Sequence, residues 1–292
     1  MSLTFEPISL DRRDEYLKRF AQCPQKASDY SFANIWGWAD NYGLEWAWGD
    51  QCVWIRQTVP DVLNWAPVGP WDTLPWEKCP SLHEQLTLTR VPHTFAALLK
   101  QRLGKRLAIT KARGHWDYLY SVEELATLKG NRFHKKKNLF NQFVKKYGYV
   151  YHSLDTDCIE AALRMQEEWC EWRECDDSYA LLAENQAIFR VLQDYDRIPG
   201  LTGGALYVDG EMVAYTVAEE LTPDTLVIHF EKGKTNYSGI YQAINRLFLE
   251  NQGQGYDFVN REQDLDDAGL RKAKLSYNPL TFLKKYDIQV LA

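Results

Sequence analysis

The stretch TLVIHFEKGK sets His229 and Glu231 two residues apart, which on an alternating strand places both on one face with Val227. A carboxylate beside an imidazole can orient it or exchange a proton with it. The same pair also suits a half-buried polar patch that only steadies a sheet. Further on, YDFV runs into NREQDLDDAGLRKAKLSYNP, which gathers Asn260, Arg261, Glu262, Asp264, Asp266, Asp267, Arg271, Lys272 and Lys274 just beyond a strand. Alternating charges commonly mark a salt-bridged surface. Strand ends, however, are where open sheets carry their functional groups, and Asn260 and Arg261 reach that point directly.

A third candidate is LKGNRFHKKKNLFNQFVKKYG, residues 128–148. It holds Lys129, Arg132, Lys135, Lys136, Lys137, Lys145 and Lys146 with no carboxylate, in a chain whose net charge is −6. On a helical wheel, Phe133, Leu139, Phe140, Phe143, Val144 and Tyr147 form an apolar stripe. Lys135 and Lys146 point into water, as a solvated face would. Lys136 falls in the middle of the stripe. Such a lysine either extends its stem outward or meets an anion, because an unpaired buried ammonium is unfavourable.

The helix start NYSGIYQAINRLF, with Tyr237 and Tyr241, offers first-turn amides to an anion, but Gly239 stands alone rather than in a glycine-rich loop. The default there is a simple helix start. Walker, dinucleotide, nucleophile-elbow and zinc-protease motifs do not occur.

The elements that must hold these residues follow from periodicity and punctuation. DRRDEYLKRFAQ, SDYSFANIWGWADNYG and PHTFAALLKQRLG read as helices, the second capped by Ser28 or Asp29. LEWAWGD and QCVWIRQTV read as paired strands. A boundary falls near residue 120. Beyond it come two helices, DCIEAALRMQEEWCEWREC and ENQAIFRVLQDYDRI. A hairpin turning at Asp209-Gly210 follows, then a strand, a helix and a strand, and LTFLKKYDIQVL as a last strand. This order predicts an α+β chain of N-acetyltransferase type.

At 292 residues the chain has room for one large or two ordinary domains. An acidic net charge excludes a general nucleic-acid coat, so any polyanion site is local. MSLTFEPISLDRRDEY has no basic segment followed by an apolar core, and no apolar run is long enough to span a bilayer. The 6 cysteines lack CxxC spacing, which argues against zinc or a disulfide framework and for a cytoplasmic location. The tryptophans before residue 120 have the spacing of core aromatics.

GNRFHKKKNLFNQFVKKYG, VIHFEKGKTNYSGIYQAIN and FVNREQDLDDAGLRKAKLSYNP, with the N-terminal SDYSFANIWGWADNYG, together resemble the DUF2156 family, related to the C-terminal domain of phosphatidylglycerol lysyltransferase. The resemblance covers nearly the whole chain. It implies two tandem N-acetyltransferase-like (GNAT) lobes with mixed, mainly antiparallel sheets flanked by helices, as in Fem-type peptidyltransferases, here over residues 1–118 and 119–292. It also implies a soluble aminoacyl- or acyltransferase without a tightly bound cofactor. Its donor would be aminoacyl-tRNA, or alternatively acyl-CoA, and its acceptor a small molecule, lipid headgroup or peptide. By motif match Arg261, Glu262 and Asp264 fall in the polar strand-end cluster and Lys272 and Lys274 in the basic residues after it. The expected catalytic set is Glu231, Arg261, Glu262 and Asp264. The expected substrate-binding set is Lys136, His229, Tyr237, Tyr241, Asn260, Lys272 and Lys274. A non-catalytic module that binds an anionic ligand on the same fold is the remaining alternative.

Overall fold

Hydrophobic stripes at helical and strand period leave each half of the chain one way to bury its apolar residues: a sheet with helices laid against it. The computed structural model describes residues 3–82 and 86–291, which form two compact units.

The first unit opens with β1 (Glu6–Pro7), α1 (Arg13–Phe20), α2 (Phe32–Gly37) and α3 (Ala39–Tyr42). The predicted second helix is thus interrupted, and its cap is Ser31, whose Oγ accepts the Asn34 amide at 3.3 Å. Ser28 and Asp29 are drawn into a buried charge network instead. The unit continues with β2 (Glu45–Trp48), β3 (Val53–Gln57), β4 (Leu63–Trp65), β5 (Thr87–Pro92), α4 (His93–Leu103) and β6 (Leu107–Lys111). Trp46, Trp54, Trp65, Trp71 and Trp76 are buried, as expected of core aromatics.

The second unit begins at Tyr118 within β7 (Asp117–Ser121) and contains α5 (Val122–Thr127), α6 (His134–Lys146), β8 (Tyr149–Ser153), α7 (Thr156–Trp172) and α8 (Tyr179–Gln193). After these come β9 (Leu201–Val208), β10 (Glu211–Thr222), β11 (Thr225–Gly233), α9 (Ile240–Gln252), β12 (Phe258–Asn260), α10 (Ala268–Leu275) and β13 (Thr281–Leu283). The chain closes with β14 (Lys285–Val290). One strand-like stretch therefore splits in two, and β14 joins the first sheet, between β5 and β6. The sheet orders are β1-β2-β3-β4-β5-β14-β6 and β13-β7-β12-β11-β10-β9-β8. Parallel contacts occur at β4–β5 and β11–β12, among antiparallel pairs such as β10–β11 and β5–β14.

The cysteines depart from expectation at one place. Glu174, in the left-handed region at φ 51°, turns the chain back after α7. That turn brings Cys170 and Cys175 to a Cα separation of 5.2 Å, and they form a disulfide. Spacing of this kind across a helix C-terminus has no CxxC signature. Among the described residues no helix is long and apolar enough to cross a membrane.

Helix α6 buries Phe140 and Phe143, with Phe133 buried just ahead of it, whereas Val144 is exposed at the edge of the predicted stripe. Its backbone reaches the start of α9, where Gly239 has φ 83° and lies against the Leu139 carbonyl. A Cβ there meets both a backbone oxygen and an unfavourable backbone region. Gly239→Ala is expected to lower stability by about 1–3 kcal/mol, read from the urea midpoint.

Candidate active site

β12 runs parallel to β11 with Val227 opposite Asn260, and there β12 ends while β11 continues to Gly233. Arg261 and Glu262 thus leave the sheet beside the second half of β11. Ladder pairing jumps from Ala218–Ile228 to Val217–Phe230, leaving His229 as the extra residue of a β-bulge. The bulge breaks the simple alternation read from sequence, and His229 and Glu231 take different partners.

His229 is buried between two carboxylates: Nδ1 lies 2.8 Å from Glu262 Oε1 and Nε2 lies 3.1 Å from Glu219 Oε1. Burial works against a charged ring, but the bonds to Glu219 and Glu262 outweigh it and raise the pKa to about 9. The raised pKa favours the imidazolium, whose two ring N–H groups then hold the Glu219 and Glu262 carboxylates. Glu262 itself sits at φ 55°, its amide donating to Asn260 Oδ1 at 2.8 Å. A side chain in the left-handed region persists only where neighbours fix it, and such strain gathers at functional sites.

Because protonation is tighter in the folded state, His229 contributes stability that is full below pH 6.5 and is lost as pH rises through about 9. The loss is on the order of 3 kcal/mol. Urea titrations between pH 6 and 10 are expected to show this fall in the native protein and a much flatter profile in His229→Gln.

Glu231 accepts from Arg261 Nη2 at 2.8 Å and from Asn245 Nδ2, on α9, at 3.0 Å. The Arg261 guanidinium lies 4.6 Å from the centre of the Tyr277 ring, and its Nη1 is buried without a hydrogen-bond partner. Tyr277 is fixed by Gln242, which donates to its hydroxyl at 2.9 Å. Lys136, half-buried on α6, brings its ammonium 3.9 Å from the same ring centre. Burial, and then the Arg261 charge, hold the Lys136 pKa below that of an ordinary lysine.

Of the sequence-predicted residues, this arrangement gathers Lys136, His229, Glu231, Asn260, Arg261 and Glu262. Lys274 supports it by donating from Nζ to the Arg261 carbonyl. The others lie elsewhere. Asp264 folds with the first unit, its carboxylate fully buried, bonded to Arg113 at 3.0 Å and to the Asp266 amide at 2.9 Å. That carboxylate holds a turn in place of the expected catalytic role. Lys272 is exposed on α10. Tyr237 packs on Tyr147 with ring centres 4.9 Å apart, and half-buried Tyr241 has its pKa raised mainly by burial. Sequence reading missed Glu219, Asn245, Gln242 and Tyr277. Asn245 carried a usable signal, a polar residue buried on α9 among Ala243, Ile244, Leu247 and Phe248.

The family described as phosphatidylglycerol lysyltransferase, C-terminal, matches residues 20–289. The chain belongs to that family. A conserved protein of unknown function from Bacteroides thetaiotaomicron is 31% identical, with 99% of this chain and 100% of that one covered at a TM-score of 0.88. L-PGS from Bacillus licheniformis superposes with a TM-score of 0.65 at 14% identity, covering 97% of this chain and 92% of the other. FemX does so at 0.58 and 8% identity, covering 98% and 97%. These two likenesses establish the fold: tandem GNAT-like lobes, here two mixed seven-stranded sheets with flanking helices. An uncharacterised protein of Mycoplasmoides gallisepticum is 25% identical over 179 residues, covering 60% of this chain and 56% of that relative's length.

Proposed function

We propose that the chain is an aminoacyltransferase that moves an amino acid from aminoacyl-tRNA to an amine or hydroxyl acceptor, in the cytoplasm, using the second unit's site. The observation that carries this reading is the Glu231–Arg261 pair beside the Glu219–His229–Glu262 triad, in a chain of the lysyltransferase C-terminal family.

In such a transfer the acceptor N–H or O–H attacks the ester carbonyl, and the tetrahedral intermediate then expels the ribose hydroxyl. The C–O bond to ribose breaks as the new amide or ester bond forms, and the acceptor's proton ends on the leaving oxygen. No enzyme nucleophile is required; positioning and charge stabilisation carry the acceleration. Glu231 and Glu262 supply the acidic side of the site, suited to the donor's α-amino group and to receiving the acceptor's proton. Arg261 and Asn245 fix Glu231, and His229 fixes Glu262. The cationic side, Arg261 with Lys136, suits the anionic part of the donor.

The acyl-CoA alternative gains less support. Its pyrophosphate would need the first turn of α9, where a single glycine stands against the α6 backbone in place of a glycine-rich loop. Purification from cells with and without RNase tests the donor. The expected result is RNase-sensitive co-purification of tRNA and salt-dependent affinity for charged tRNA. A pure, folded protein with no such affinity at low salt, but a thermal shift with acyl-CoA, overturns the reading.

A further inference from the structure

Arg261 uses one arm of its guanidinium. Nη2 is bonded to Glu231 and the Tyr277 hydroxyl interacts with the guanidinium, while Nη1 is buried with no well-formed hydrogen bond among the described residues. A buried charged donor without an acceptor is unfavourable by more than a typical neutral hydrogen bond is favourable. Lys136 is the second incomplete group. Its ammonium rests on the Tyr277 ring, and no carboxylate among the described residues lies within salt-bridge distance of it. Two cations thus converge on one aromatic ring, and Glu231 balances only one of them. An anion between them would relieve their mutual repulsion.

We propose that Lys136 and Arg261, set against Tyr277, form a seat for a phosphate oxyanion. A carboxylate would be met by the flat fork of a single arginine, two N–H groups in one plane. Here one arginine arm is already committed, and the remaining donors come from different elements, α6 and the segment after β12. A tetrahedral phosphate presents oxygens in divergent directions and can meet both. The exposed Lys135, Lys137, Lys145 and Lys146 of α6 add a positive field that draws a polyanion toward the same helix. That field favours the terminal phosphodiester of an RNA over a single free phosphate. The choice of RNA rests on the transfer reading above; the seat does not.

The test is calorimetric titration of the full chain with three probes: the dinucleotide CpA for an RNA end, glycerol 3-phosphate for a lipid headgroup, and inorganic phosphate. Wild type is compared with Lys136→Gln and Lys136→Arg. Lys136 is half-exposed, so its variants are expected to fold, with the urea midpoint as the check. At least one probe is expected to bind wild type, with affinity falling about 10- to 100-fold in Lys136→Gln. Lys136→Arg should recover most of it. CpA binding tightest assigns the seat to the donor, whereas glycerol 3-phosphate binding tightest assigns it to the acceptor. Equal affinities in wild type and Lys136→Gln, or no binding of any probe at millimolar concentration, overturn the seat. None of these readouts needs turnover, so the seat can stand if transfer fails and fall if transfer succeeds.

Discussion

Arg261→Gln is expected to reduce aminoacyl transfer about 100-fold or more, because it removes a preorganised cation from a site that works by charge stabilisation. It also leaves Glu231 buried beside Asn245 without its positive partner. Breaking a buried pair in this way costs about 3–5 kcal/mol of stability. The two effects separate in the double variant. Glu231→Gln added to Arg261→Gln removes the stranded carboxylate, so most of the stability is expected to return while transfer stays at the reduced level. Recovery of both would mean that Arg261 serves the fold alone. Label transfer and urea unfolding, measured on the same preparations, give the comparison.

The second large effect lies in the first unit. Lys285, fully buried on β14, donates to Asp29 and, at 2.6 Å, to Asp117. Arg90 donates to Asp29 at 2.6 Å, and Ser28 bonds Asp117 through its amide at 3.0 Å and its hydroxyl at 2.9 Å. Gln263 Nε2 donates to the same Asp117 oxygen at 2.9 Å. The N-terminal SDYS segment, β14 and the 263–267 segment are thus held by two carboxylates and two cations. Lys285→Met is expected to lower stability by about 3–5 kcal/mol, since two buried carboxylates lose a shared partner. The acid limb should move as well. Burial raises the Asp29 pKa, but Lys285 and then Arg90 outweigh it and bring it down to about 2. Its folded-state pKa is depressed, so its contribution is present above pH 3.8 and lost as pH falls toward about 2. Without Lys285 that loss begins at higher pH, read as a higher acid-unfolding midpoint.

How far the sequence showed these features depends on whether each was local. The 3.6-residue stripe of α6 was legible, and it placed Lys136 among the phenylalanines, where it is half-buried. The Asp209-Gly210 turn announced the β9–β10 hairpin, with both residues at positive φ. The resemblance in three motifs brought the two-lobed fold. Local periodicity cannot show a bulge, so alternation sets His229 facing the same way as Glu231, whereas its partners are Glu219 on β10 and Glu262 in the loop after β12. Nor can it show that Lys285 meets Asp29 and Asp117, which lie far away in sequence. Asp264 looked like a member of the strand-end cluster by position alone. The left-handed residues Glu262, Leu265 and Asp266 bend that segment, and Asp264 turns to Arg113 instead.

The most direct test of the aminoacyltransferase reading uses tRNA charged with labelled amino acids, purified protein, and pooled amine, hydroxyl, lipid and peptide acceptors. Product is counted as label that leaves the tRNA, survives RNase, and requires both protein and acceptor, with base treatment then separating amide products from ester products. The expected result is protein-dependent transfer by wild type, reduced about 100-fold or more in Arg261→Gln. Transfer no faster than buffer for every aminoacyl species, from wild-type protein shown to be folded, would contradict it.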